Sequence, residues 1–64
     1  GRVLTGREKE ILYMIKEGRL SKQIAASLGI SVHTVNRHRQ NILDKLSVGN
    51  SVEAIMAATA MKLI

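Results

Sequence analysis

Apolar residues recur along this chain at intervals of three and four positions, the spacing that gathers them on one face of an α-helix. Four such segments are separated by glycine, serine and asparagine, which favour helix ends, and the chain contains no proline. The pattern predicts an all-α fold of four helices over about residues 6–17, 22–28, 32–46 and 51–62.

The first two predicted helices carry start and stop signals. The sequence T-G-R-E at residues 5–8 fits a capping box. In this motif the Thr5 side chain accepts a hydrogen bond from the Glu8 amide, and the Glu8 side chain accepts one from the Thr5 amide. Gly18 is placed to end the first helix, Ser21 to cap the second and Gly29 to end it. The predicted inner faces are Ile11, Leu12 and Ile15 on the first helix and Ile24, Ala25 and Leu28 on the second.

A short turn, L-G-I-S at residues 28–31, joins the second helix to the third, with Ser31 as the next cap. A short helix, a turn containing glycine and a second helix form the helix-turn-helix pattern of DNA-binding proteins. A corner between two helices of any small bundle has the same pattern, so it does not by itself establish DNA binding.

The third helix has a broad apolar stripe that we expect to face the core: Val32, Val35, Ile42, Leu43 and Leu46. Arg39 falls inside this stripe, so its stem should lie along the core while its guanidinium reaches solvent or a phosphate. The opposite face is polar and mostly free of acids. Its one acid, Asp44, is expected to bond Gln40 or Asn41 one turn earlier.

The fourth helix has too many apolar residues for one buried face. Asn50 and Glu53 supply its cap, and its main stripe is Val52, Ile55, Met56 and Leu63, with Thr59 as the one polar member. Because alanines and Met61 leave no charged side, part of this helix is expected to meet a second copy of the chain. The predicted dimer residues are Val52, Ile55, Met56 and Thr59. A merely apolar terminal helix explains the pattern equally well.

Composition favours a polyanionic partner. Ten Lys and Arg stand against five Asp and Glu, a net charge of +5 that attracts nucleic acid by counterion release. A single aromatic residue, Tyr13, argues against the stacking surfaces of single-strand and RNA binders, which leaves duplex DNA. The absence of cysteine suits the cytoplasm, and no apolar run is long enough to predict a membrane span.

No catalytic or metal site is expected. His33 and His38 lie five residues apart and roughly 140° around the helix, so they cannot share an ion. No carboxylate completes a metal site around them, and the serines are explained as caps or exposed positions without a partner base. We therefore predict neither an enzyme nor a cofactor.

The outward face of the third helix carries side chains suited to base edges in a major groove. Asn36 or Gln40 can bond adenine at N6 and N7, and Arg37 can fork onto O6 and N7 of guanine. Asn36 lies nearest the edge of the apolar stripe. The predicted base contacts are His33, Asn36, Arg37 and Gln40. The predicted phosphate contacts are Lys22, Ser31, Thr34, His38, Arg39 and Lys45. A solvated helix face can carry the same residue types by chance.

The sequence resembles the LuxR/NarL-type, GerE-like helix-turn-helix domain of bacterial transcription regulators. The likeness rests on L-T-G-R-E-K-E-I-L at 4–12, S-K-Q-I-A at 21–25, L-G-I-S at 28–31, T-V-N-R-H at 34–38 and I-L-D-K-L at 42–46. It implies a four-helix domain whose third helix enters the major groove and whose fourth commonly forms the dimer contact. It also implies that residues 1–64 are one domain, the C-terminal fragment of a longer regulator behind a receiver or ligand-sensing domain.

Two positions depart from the family pattern. Asn36 stands where the family often has lysine, and Ser51 stands where arginine often precedes the fourth helix. The expected partners are double-stranded DNA, a second copy of the chain and RNA polymerase, with no membrane. Two alternatives remain at this point: the fourth region of a sigma factor, and a helical adaptor that binds protein through the fourth helix.

Overall fold

Four helices make up the protein in a computed structural model that describes residues 4–64. They are α1 (Gly6–Lys16), α2 (Ser21–Leu28), α3 (Val32–Leu46) and α4 (Ser51–Ala60). No residue between positions 4 and 64 lies in a strand. The predicted all-α, four-helix fold is confirmed, and the predicted bounds differ from the observed ones by at most two residues, at the end of α4.

Side-chain caps explain why three of the helices begin where they do. In α1 the capping box is complete, with the Glu8 amide donating to Thr5 Oγ1 at 3.1 Å and the Thr5 amide donating to Glu8 Oε1 at 2.9 Å. Ser31 Oγ accepts from the amide of Thr34 at the start of α3. Asn50 Oδ1 accepts from the third residue of α4. These three predicted caps are therefore confirmed.

The cap of α2 differs from the prediction. Leu20 holds the N-cap position, and its amide donates to Gln23 Oε1 at 2.9 Å. Ser21, predicted as the cap, is the first residue of the helix itself. Its hydroxyl is directed at α3, where it bonds Asn36 and Arg39. Because the Ser21 hydroxyl is bonded to residues of α3, it does not cap a backbone amide of α2.

The core lies around α3, which packs against all three other helices. Its buried apolar residues are Leu4, Ile11, Leu12, Ile24, Ala25, Val35, Ile42, Ala54 and Ala58. The predicted inner faces of α1 and α2 are confirmed, with Ile15 and Leu28 half-buried at their edges. Val32, predicted to face the core from α3, is 41% exposed because it lies in the first turn, beside the helix-turn-helix corner.

The fully buried residues of α4 are small. Ala54 and Ala58 are fully buried, whereas Val52 and Met56 are exposed by 67% and 66%. Of the main apolar stripe predicted for this helix, Ile55 and Leu63 are half-buried and packed against the core, whereas Val52 and Met56 are on the surface. Alanines allow α4 to lie close to α3. Within residues 4–64, no helix has the length and apolar content that crossing a bilayer requires.

Candidate nucleic-acid interface

The helix-turn-helix consists of α2, the turn at residues 29–31 and α3. Gly29 takes the left-handed conformation, with φ of 68°, and the Ile30 amide bonds back to the Ala25 carbonyl at 3.1 Å. The two helices pack through Ile24, Ala25 and Val35, all of which are buried. Because this packing uses the inner side of α3, the opposite side of the helix faces solvent.

The four predicted base-contacting residues share one strip of α3. His33, Asn36, Arg37 and Gln40 are all exposed and follow the i, i+3, i+4, i+7 spacing of a single helix face. Beside this strip, a shallow depression on the helix surface is lined by Thr34, Arg37, His38 and Asn41. The structure thus brings the predicted base contacts together and places His38, half-buried, at their edge.

Two of these side chains are held by neighbours. Ser21 Oγ donates to Asn36 Oδ1 at 3.0 Å, which links the start of α2 to α3. Gln40 Nε2 donates to Asp44 Oδ1, also at 3.0 Å. The predicted bond from Asp44 to one of the polar residues a turn earlier is confirmed, with Gln40 as the partner.

Arg39 is bonded inside the fold. Its stem lies half-buried along α3, and its two terminal nitrogens donate to Ser21 Oγ at 3.0 Å and to Ser51 Oγ at 2.8 Å. The guanidinium therefore links the first residues of α2 and α4 across α3. The predicted course of the stem is confirmed, but the guanidinium, expected to reach solvent or a phosphate, is bonded to two serines because they lie beside it at the starts of α2 and α4. The role of the two serines was missed, because they lie 18 and 12 residues from Arg39 in sequence.

Lys45 pairs with the cap of α1. Its Nζ lies 2.8 Å from Glu8 Oε1, and the two side chains are 26% and 4% exposed. Burial by itself raises the pKa of Glu8, but the hydrogen bond from Lys45, the bond from the Thr5 amide and the lysine charge together lower it below its usual value. The predicted phosphate contact of Lys45 competes with this internal pair.

The remaining predicted phosphate contacts lie at two helix starts. Lys22 is exposed in the first turn of α2. Ser31 and Thr34 share a hydrogen bond of 2.9 Å between their hydroxyls at the start of α3. Backbone amides and positive dipoles at such ends favour anions. In the described part of the chain, no group of histidine and acidic side chains has the arrangement that holds a metal ion.

The predicted dimer residues lie on the outer part of α4. Val52, Met56 and Thr59 are exposed and Ile55 is half-buried. Met61 adds a further exposed apolar side chain just beyond the helix. This surface is mostly apolar and shares no residue with the polar strip of α3.

Comparison with known proteins agrees with this geometry. The profile of the family described as GerE, bacterial regulatory proteins of the luxR family, matches residues 2–58. The uncharacterized response regulatory protein YgeK of Escherichia coli K12 is 47% identical over 58 residues, which are 91% of this chain and 40% of YgeK. The transcriptional activator SolR of Ralstonia solanacearum is 45% identical over 62 residues, which are 97% of this chain and 26% of SolR.

Two solved structures share the fold. The response regulator ChrA of a heme-sensing two-component system matches with a TM-score of 0.93 and 42% identity, over 100% of this chain and 32% of ChrA. The transcription factor GerE matches with a TM-score of 0.92 and 33% identity, over 98% of this chain and 94% of GerE. The chain therefore belongs to the luxR family of bacterial regulatory proteins, as the helix-turn-helix DNA-binding domain of a transcription regulator.

Proposed function

We propose that this domain reads an operator by inserting α3 into the major groove of duplex DNA. One observation carries the proposal: the exposed strip of His33, Asn36, Arg37 and Gln40 lies on the second helix of a helix-turn-helix and contains no acid. A major groove admits one α-helix, and amide and guanidinium side chains match the donor and acceptor pattern of base edges. Arg37 is the strongest candidate among them, since it is exposed and always charged.

Around this strip, the starts of α2 and α3 are proposed to hold the DNA backbone. Lys22 supplies charge, Ser31 and Thr34 supply hydroxyls, and His38 lies at the edge of the depression beside Arg37. Lys45 falls outside this proposed set because Glu8 binds its ammonium group. Arg39 is proposed to act chiefly by fixing the positions of α2 and α4, since both ends of its guanidinium are bonded to serines.

The full-length protein is proposed to be larger than this chain. The chain spans 26–40% of the curated relatives described above, and YgeK and ChrA are response regulators. We therefore propose a cytoplasmic regulator in which a receiver or ligand-sensing domain precedes this one and RNA polymerase responds to the complex. Two copies are proposed to meet through the outer face of α4, with Val52 and Met56 at its centre. Dimeric readers of this kind bind two half-sites about one helical turn apart, or a multiple of it.

A salt titration tests the proposal. Affinity for a selected duplex is expected to fall with a log–log slope of about −0.9 per phosphate contact, or roughly −4 per monomer. Random duplex of the same length serves as the control for sequence preference. A flat salt dependence rules out DNA binding and favours a helical adaptor, whereas a steep slope with equal affinity for both duplexes rules out base reading by α3.

A further inference from the structure

The two amide side chains of the base-reading strip are held in opposite orientations. Asn36 has its oxygen occupied by Ser21, and Gln40 has its nitrogen occupied by Asp44. A side-chain amide has an oxygen that accepts and a nitrogen that donates hydrogen bonds. When a neighbour binds the oxygen, the nitrogen is the end left for DNA, and when a neighbour binds the nitrogen, the oxygen is left. The two residues therefore present different chemistry to the groove although their side chains are of one kind.

The orientation of Asn36 is given by its hydrogen bond from Ser21. A guanidinium can only donate, so Arg39 uses Ser21 Oγ as an acceptor. The same hydroxyl donates its proton to Asn36 Oδ1, at 3.0 Å. Ser51 holds the other end of Arg39 at 2.8 Å. A continuous set of bonds thus runs from α4 through Arg39 and Ser21 to Asn36.

We propose that Ser21 is a specificity-determining residue that acts through Asn36, turning its amide so that only N–H donors face the bases. This inference rests on the proposed function and refines it. Guanine offers two acceptors in the major groove, N7 and O6, whereas bidentate binding of adenine needs an acceptor on the protein for N6. Asn36 in this orientation selects guanine over adenine, so of the two adenine readers that the sequence left open, Asn36 and Gln40, only Gln40 keeps that role.

Gln40 is the control for Asn36, because a different residue holds its amide. The Asp44 carboxylate can only accept, so it binds the nitrogen end of the Gln40 amide and leaves Oε1 free. A free acceptor, with the remaining N–H beside it, matches N6 and N7 of adenine. The base read by Gln40 is therefore adenine, and it is independent of Ser21.

Selection of bound duplexes from a random pool tests the inference, with the base position of Asn36 defined as the one whose preference is lost in Asn36→Ala. The unmodified chain is expected to select guanine there. Ser21→Ala frees the amide to rotate, so the ratio of adenine to guanine at that position is expected to rise by about fivefold or more, the lower end of the discrimination given by one bidentate contact. The preference at the Gln40 position should not change.

Two variants control for folding. Ser21→Thr keeps the hydroxyl and should keep guanine. Ser51→Ala removes the other serine bond of Arg39 without touching Asn36, so it should leave the base preference unchanged whatever it does to stability. Adenine selected by the unmodified chain, an unchanged ratio in Ser21→Ala, or no position lost in Asn36→Ala overturns the inference. Failure of the unmodified chain to select any sequence instead contradicts the proposed function.

Discussion

Arg37 and Arg39 lie two residues apart on α3 but have different surroundings. Arg37 is exposed beside the shallow depression, whereas Arg39 is half-buried and bonded to Ser21 and Ser51. Two residues turn an α-helix by roughly 200°, so one arginine faces outward and the other faces the starts of α2 and α4. Charge alone does not identify a DNA contact, because a cation bonded within the fold has less to offer a phosphate.

The same contrast separates two lysines. Lys22 is exposed on the first turn of α2, while Lys45 is bound to a carboxylate that is almost fully buried. All four cations were predicted to contact DNA. Only Arg37 and Lys22 are exposed. Substituting both members of each pair tests whether the exposed cation serves DNA binding and the internally bonded one serves stability.

The largest effect is expected for Lys45→Ala. It leaves Glu8 buried without its cationic partner, so the free energy of unfolding should fall by about 3 kcal/mol. Urea unfolding followed by circular dichroism measures this change. Lys22→Ala is the matched control and should leave stability unchanged while making the salt slope of DNA binding shallower by about 0.9. If Lys45→Ala changed the slope and not the stability, its predicted phosphate role would stand.

Substitutions of the two arginines should also affect different properties, with a smaller loss of stability than Lys45→Ala causes. Arg39→Ala breaks two charged hydrogen bonds that link three helices, and it is expected to reduce the free energy of unfolding by about 2 kcal/mol. Arg37→Ala should leave unfolding unchanged but lower discrimination at one base pair by about 1–3 kcal/mol. Urea titration and competition binding with single-base operator variants give the two readouts. Equal effects of both substitutions on unfolding would remove the distinction between the two arginines.

The helices and most of the core were predictable from sequence, whereas the bonds between helices were not. Caps such as Thr5 and Ser31 depend on residues three positions away, so local sequence reveals them. The bond from Lys45 to Glu8 joins residues 37 positions apart, and its formation depends on how α1 packs on α3. Sequence periodicity placed the polar strip on the solvent-exposed face of α3, but it did not show which cations are bonded within the fold.

The same limit applies to α4, where the sequence did not show which apolar residues form the core contact. Periodicity favours the large residues Val52 and Met56 as the main apolar face, because it weighs side chains by hydrophobicity. Close packing against α3 selects Ala54 and Ala58 instead, since a small side chain allows the helices to approach. The larger residues left outside are then available for a second copy of the chain.

Met56→Glu tests that use of α4. A charge placed in the exposed apolar surface should weaken cooperative binding to a two-site duplex by about tenfold, or 1.4 kcal/mol, while sparing affinity for one site. Gel-shift titrations on one-site and two-site duplexes measure both quantities. Met56→Leu keeps the apolar surface and should behave as the unmodified chain. Unchanged cooperativity in Met56→Glu would place the dimer contact elsewhere.

The smallest effect concerns the ionisation of Glu8, which holds Lys45 within the fold. The pKa of Glu8 is lowered in the folded state, so its contribution to stability is present above the ordinary value near 4.3 and is lost as the pH falls through the folded value. Glu8→Gln keeps an acceptor for Lys45 but removes the charge. It should cost about 1 kcal/mol at pH 7, the difference between a charged and a neutral hydrogen bond, and progressively less below pH 4.

Urea unfolding at pH 7, 5 and 3.5 measures this loss, with Glu10→Gln as the control. Glu10 forms an exposed pair with Arg7 at 3.8 Å, which contributes little at any pH. If the difference in unfolding free energy between the unmodified chain and Glu8→Gln stayed constant with pH, the shape of the side chain and not its charge would matter at this position. A difference that vanishes in acid would show that the charge of Glu8 stabilises the fold, as expected if it keeps Lys45 within the protein and away from DNA.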